Sequence, residues 1–379
     1  MMREIHEIDG LVGFLKRESH LIDCVVQGLD LGEVEVDWSS IKLAGSVFLG
    51  CRFPSLAFQE RLREGGALIF PRLPRIPYNP YRPSLYTRDE LMEGWSEEKD
   101  GSLDFRIYEH FVACGRHKPN ILESLCQRLH DHAIDDGLAD LLEGRVDGGS
   151  EKQVVAIMGG HGTSRADLYY RKVVEIARDL TRRGYFVASG GGPGIMEASN
   201  LGAWLSNAPD DFIDRALDEL GKAPVYSDPG FHATAARVRE WHPHGAASLA
   251  IPTWFYGHEP SNQFSTYVAK YFSNGLREDG LLAIAKYGVV YAPGSAGTTQ
   301  EVFMDAAQNH YGTFDFVSPM IFLGKDRYGP ETGIFETLQK LAEGRQYQAM
   351  LGLSDDPDEV VRLISSHHPE PFKSPGASS

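Results

Sequence analysis

Three glycine-rich segments concentrate the residues that could do chemistry, and each directly follows a short apolar run. They are Gly159-Gly160-His161-Gly162-Thr163-Ser164, Ser189-Gly190-Gly191-Gly192-Pro193-Gly194-Ile195-Met196-Glu197 and Ala292-Pro293-Gly294-Ser295-Ala296-Gly297-Thr298-Thr299-Gln300-Glu301. Glycine lets backbone amides approach an anion closely, and a helix starting after such a loop adds its positive end. The candidate phosphate or nucleotide contacts are therefore Gly159, Gly160, Gly162 and Thr163 in the first segment. In the second they are Gly190, Gly191, Gly192, Gly194 and Met196, and in the third Gly294, Ser295, Gly297, Thr298 and Thr299. Any one such loop is explained equally well as a tight strand-to-helix connection. Three of them at the carboxyl edge of one sheet point to a ligand. Neither common fingerprint is met. Gly190-x-Gly192-x-x-Ile195 and Gly160-x-Gly162-x-x-Arg165 both lack the third glycine of the dinucleotide motif, and no Gly-Lys-Ser/Thr occurs, so a Walker A triphosphate site is absent.

Glu301 falls about one turn into the helix expected after the third segment. A carboxylate at that place could stabilise positive charge that develops on a bound ligand. Glu301 suits that task if Gly297, Thr298 and Thr299 hold a phosphate. The alternative is a glutamate favoured there only by the helix dipole. Trp254, Phe255 and Tyr256 follow another apolar run, and their rings could stack on a base. His258, Glu259 and Asn262 could read the base edge or protonate a leaving group. Aromatic packing under a lid explains the same residues. His130 and His132 sit at i and i+2, facing nearly opposite sides of a helix, so they cannot chelate together and no metal is expected.

Alternating strands and helices must position these loops. Short apolar runs at 154–158, 185–189, 247–251, 288–292 and 320–323 are spaced by amphipathic helical stretches, one of them placed within 264–286. That alternation predicts a doubly wound α/β architecture, a parallel sheet with helices on both faces. Residues 207–245 look like an insertion with its own helix. The first 150 residues read differently. Trp38, Leu43, Phe48 and Phe53 recur every five residues within a β-rich stretch, 24–53. The spacing resembles a pentapeptide repeat, whose coils turn large apolar residues inward; ordinary short strands are the alternative reading. A proline-rich connector follows at 71–87 and a helical stretch at 104–145. The expected division is an accessory domain over 1–150, a nucleotide-binding domain over 151–367 and a flexible tail over 368–379.

Composition narrows the function classes. The chain has 379 residues, 42% hydrophobic and 24% charged, as a globular protein of about two domains would. Net charge is 37 − 53 = −16, which repels a phosphate polymer and argues against a nucleic-acid partner while leaving a small nucleotide open. Four scattered cysteines without a Cys-x-x-Cys pair fit reduced thiols and a cytoplasmic location. The first twenty residues have no apolar stretch of the secretory kind, and no run suits a membrane partner.

The third segment, Pro293 to Glu301, resembles the Pro-Gly-Gly-x-Gly-Thr-x-x-Glu motif of the LOG ("lonely guy") family of nucleoside 5′-monophosphate phosphoribohydrolases, often mislabelled lysine decarboxylases. Gly190 to Glu197 is similar to that family's second glycine motif, as found in the pyrimidine/purine nucleotide nucleosidases. The resemblance covers about 155–325. It implies a Rossmann-like fold, a nucleoside monophosphate as ligand, hydrolysis to free base and ribose 5-phosphate without a cofactor, and a homodimer or higher homo-oligomer. It implies catalytic roles for Glu301 and, on the preceding helix, for Arg277. Two positions depart from the pattern: Ser295 replaces a glycine, and Glu278 stands where a lysine is expected after Arg277. A non-catalytic nucleotide sensor on the same fold is the alternative.

Overall fold

Four short parallel strands stack at the start of the chain: β1 (Arg3–Ile5), β2 (Cys24–Gln27), β3 (Val47–Leu49) and β4 (Leu68–Phe70). The protein is seen here in a computed structural model that describes residues 2–73, 75–258 and 261–373. Glu259 and the end of the expected tail, 374–379, lie outside the described residues. Ile5 pairs with Val26, Val26 with Phe48, and Phe48 with Ile69, so one coil takes 21 or 22 residues. Trp38, Leu43 and Phe48 are buried and Phe53 packs against them, the inward placing that the five-residue spacing implies. The five-residue steps mark successive inward positions along a coil. Helices α1 (Ile8–Arg17) and α2 (Leu56–Glu64) fill the coils after β1 and β3, α1 because Leu11, Phe14 and Leu15 form one apolar stripe. The Cys51 thiol donates to the Val26 carbonyl, 3.3 Å away on the neighbouring coil.

The chain divides into two compact units. The first holds the described residues up to Leu85 together with Glu109–Ala139, and the second holds Tyr86–Tyr108 and the chain from Asp140 on. Within the first unit the proline-rich stretch is laid over the coils. Gln27 Nε2 donates to the carbonyls of Tyr81 and Arg82 at 2.9 and 3.0 Å.

The chain meets the second unit at β5 (Tyr86–Thr87), α3 (Arg88–Leu91) and α4 (Leu103–Ala113), and again at the end of α5 (Ile121–Leu142). Then come β6 (Val154–Met158), α6 (Leu168–Arg182), β7 (Phe186–Ser189), α7 (Ile195–Trp204), α8 (Phe212–Leu220), α9 (Phe231–Trp241), β8 (Leu249–Ala250) and β9 (Tyr267–Val268). They are followed by α10 (Asn274–Ile284), β10 (Val289–Tyr291), α11 (Ala296–Tyr311), β11 (Phe316–Val317), β12 (Met320–Leu323), α12 (Lys325–Tyr328) and α13 (Ile334–Ala342). The last elements are β13 (Leu351–Ser354), α14 (Pro357–Ser366) and β14 (Glu370–Pro371), the last pairing with β11.

Eight strands make one sheet in the order β13-β12-β10-β6-β7-β8-β9-β5, parallel except for the edge strand β5. Side chains alternate across it. Val155, Ile157, Val187, Val290 and Ile321 join the core under α6, α7 and α14. On the other face Tyr291 stacks on Phe322 and reaches α11. This is the doubly wound parallel sheet expected, with helices on both faces. The chain winds outward from β6 through β7, β8 and β9, then returns to β10 on the other side of β6. The helix placed within 264–286 begins only at Asn274, because Tyr267–Val268 pair into the sheet as β9.

Candidate functional site

The topological switch point lies between β6 and β10, where an open α/β sheet offers a crevice beyond its carboxyl edge. The first and third glycine loops leave from these two strands. They touch: the Gly160 amide donates to the Pro293 carbonyl at 3.0 Å. The second loop joins them, since the Ile195 amide donates to the Gly160 carbonyl at 3.1 Å. Gly194 has φ +69°, and a Cβ there would lie 2.7 Å from the His161 carbonyl oxygen, so only glycine lets α7 start this close to the first loop. Gly294 faces a similar limit, its missing Cβ being replaced by the Thr298 side chain folded back over it. Gly162 is exposed, Gly159, Gly160 and Thr163 are half-buried, and Gly190 lies against the Met196 sulfur. Gly191 and Gly192 are buried. A small cavity of about 50 Å³ lies between Gly162, Thr163, Pro193 and Gly194, closed by Tyr226 and Phe231 of the insertion.

Helix α11 starts at the third loop with no side-chain cap. Gly297 is exposed, Thr299 half-buried and Thr298 buried. Its first amides are the groups a phosphate would take up. Ser295 takes φ −104°, outside the left-handed region that calls for glycine. Arg327, on α12, donates to the Gly294 carbonyl at 2.7 Å and so holds the third loop.

About a turn into α11 stands Glu301. Its Oε1 lies 3.4 Å from Arg277 Nη1, so α10 and α11 bring together the two residues singled out for catalysis. Burial pushes the Glu301 carboxyl up to about 7; Arg277 pulls it down and Glu278 pushes it up further. Arg277 is held by Asn274 Oδ1 at 2.8 Å and by Glu278 at 3.5 Å, while its buried Nε has no hydrogen-bond partner among the described residues. One turn past Glu301, Asp305 is buried; it accepts from the Tyr291 hydroxyl at 2.8 Å, and burial pushes it up to about 7 as well. Spacing i, i+4 from Glu301 could have revealed Asp305. Arg327 and Asn274 gave no signal, because neither lies in a recognisable motif.

The residues considered for a base pocket are taken up by packing and by hydrogen bonds within the scaffold. Trp254 is wholly buried, its indole N–H donating to Asp104 at 2.7 Å and its ring packed 4.7 Å from Phe272. It presents no face to a ligand. Asn262 is committed to the scaffold: its Nδ2 donates to Asn200 at 2.9 Å, and its Oδ1 accepts the amides of Phe264 and Ser265. His258 packs edge-on to Phe105 and is kept neutral to lower pH by burial. Phe255 and Tyr256 are the exposed rings. The Tyr256 hydroxyl accepts from Asn274 at 2.9 Å, which puts that ring beside Arg277. His130 is buried and His132 exposed, the opposite faces their spacing implies.

A second buried network fixes the loops. Arg165 lies in a bidentate pair with Glu197 at 2.5 and 2.8 Å, and also donates to the Phe231 carbonyl and Thr234. It thus ties the first loop to α7 and to the insertion. A larger cavity, about 470 Å³, belongs to the first unit, lined by Gly28, Asp30, Gly50, Arg52, Tyr78 and Tyr81 among others, and holds none of the loop residues.

No family model matches the chain, and no curated protein matches it. Among solved structures it is similar to the molybdenum cofactor binding protein of the phototrophic bacterium Rippkaea orientalis, at 13% identity and a TM-score of 0.38, over 57% of this chain and 98% of that one. It is also similar to the molybdenum cofactor carrier protein of Chlamydomonas reinhardtii, at 13% identity and a TM-score of 0.36, over 57% of this chain and 100% of that one. Among the described residues no helix is long and apolar enough to cross a membrane.

Proposed function

We propose that this protein hydrolyses the N-glycosidic bond of a nucleoside 5′-monophosphate, releasing free base and ribose 5-phosphate. One observation carries the reading: Glu301 stands about a turn inside α11, paired with Arg277, past the amides that would hold a phosphate. Those amides, with the Thr298 hydroxyl, bind the phosphate and set the sugar against Glu301. As the C1′–N bond lengthens, its electrons pass to the base and the ribose gains positive charge. The Glu301 carboxylate stabilises that charge and orients the water. Water oxygen bonds to C1′, and the base leaves with a proton. Tyr256 is the ring best exposed to stack on the base. The test is chromatography of free base after incubation with a panel of nucleoside monophosphates. Release of base from one of them, lost in Glu301→Gln, supports the reading.

Glu278 favours a second reading. Where the resembled family carries a lysine, this site carries a buried carboxylate beside Arg277 and Gln300. That departure from the family's Arg-Lys pair fits a sensor that binds a nucleotide without turning it over, and binding without base release selects it. The resemblance also implies a homodimer. Light scattering at micromolar protein is expected to give twice the chain mass, and a monomer would refute it.

A further inference from the structure

Three side chains of differing metal affinity converge in the first unit, outside the glycine loops. His110 lies in the last turn of α4, Cys114 follows it by four residues, and Glu123 stands in the first turn of α5. Positions i and i+4 share a helix face, so imidazole and thiol meet, with His110 Nε2 3.5 Å from Cys114 Sγ. Glu123 Oε2 lies 3.0 Å from the same nitrogen, and the three ligand atoms are all within 4.8 Å of one another. Metal–ligand bonds of about 2.0–2.3 Å in a tetrahedral zinc site imply ligand–ligand edges of about 3.3–3.6 Å. Small side-chain adjustments bring the three atoms to that spacing.

The surroundings resemble a built site. The Tyr78 hydroxyl donates to Glu123 Oε1 at 2.7 Å, and Gln127 Nε2 donates to the same oxygen at 3.2 Å. These two bonds occupy Oε1 and leave Oε2 aimed at His110, the kind of outer support that orients metal-binding carboxylates. Glu123 is buried, whereas His110 and Cys114 are half-buried, so a cation can enter and a water can complete the set. Thiol and imidazole together select a borderline-soft ion over magnesium or calcium.

We propose that His110, Cys114 and Glu123 bind one divalent cation of the zinc type, with water as the fourth ligand. Binding displaces the Cys114 thiol proton to solvent and ties the end of α4 to the start of α5. A hydrogen-bonded His–Glu pair beside an idle thiol is the rival account.

The full chain, stripped by a chelator, is titrated with Co²⁺ and with Zn²⁺ against a chromogenic competitor. The expected result is one cation per chain. With Co²⁺, thiolate-to-metal charge-transfer absorption should appear in the near ultraviolet. Cys114→Ser should lose that absorption and most of the affinity while keeping its circular dichroism. This control matters because Cys24, Cys51 and Cys126 are also free thiols. Tyr78→Phe should keep the absorption and bind about 10–100-fold more weakly. No saturable binding by the wild type, Co²⁺ bound without the thiolate absorption, or equal binding by Cys114→Ser would overturn the proposal.

Discussion

At Glu301 two influences oppose each other: burial raises the carboxyl to about 7 while Arg277 lowers it. The charged form is the one that stabilises a cationic sugar. For the free protein, kcat/KM is therefore expected to rise with pH through about 7 and level above it. Arg277→Ala removes the lowering charge, so the inflection should move to higher pH. A pH–rate profile with the same inflection in both proteins would show that the pair is not coupled. Glu301→Gln keeps shape and removes charge. Its kcat is expected to fall about 10²–10³-fold, as for the loss of about 2.7–4 kcal/mol of electrostatic stabilisation. Calorimetric affinity for the nucleotide should change little, because the ground-state sugar carries no positive charge. The role proposed for Glu301 came from its place about a turn past Gly297 together with the resemblance of the Pro293–Glu301 segment. Its partner was legible only through a resemblance, since Arg277 is brought in from a separate helix.

Among the elements, α7 and α11 start at loops that hydrogen-bond to the first glycine loop. The Arg165–Glu197 pair is the main tie, with side chains 1% and 0% exposed. Removing one member leaves the other charge buried without its partner, which costs about 3–5 kcal/mol. Arg165→Ala is accordingly expected to lower the urea midpoint by an amount corresponding to that loss. An unchanged midpoint would mean that water reaches Glu197 and replaces the guanidinium. In the sequence, Arg165 registered only as a missing glycine of the dinucleotide motif. Its use became visible once the insertion helix α9 supplied the Phe231 carbonyl and Thr234 as further acceptors. The same holds for Trp254. An aromatic after a strand can stack on a ligand or fill a core, and burial against Phe272 beside Asp104 decided for the core.

Across the whole molecule, two buried acids set a pH dependence of stability. Glu301 is raised from 4.5 and Asp305 from 3.8, both to about 7. The native state thus keeps protons that the unfolded state has already released. Their contribution is fully present below about pH 4 and is lost as pH rises through about 7. Asp305→Asn keeps an acceptor for the Tyr291 hydroxyl and cannot ionise. Relative to wild type it should gain stability as pH rises from about 4 to 7, by up to about 1.4 kcal/mol for each pH step of one across that range. Urea melts over the same range check the sign, and parallel curves would show that Asp305 does not titrate there. By itself the sequence determined the doubly wound sheet, because apolar runs of strand length separated by helical periods leave few other arrangements. It also offered coils with large residues turned inward, beside ordinary short strands, and placed three glycine loops at one edge. Local spacing carries all of these. The tertiary structure alone decided the 21- or 22-residue coil, β9 in place of the start of a helix, the burial of Trp254 and the meeting of His110 with Glu123. These depend on which distant surfaces exclude water from one another, and no local pattern of residue types encodes that.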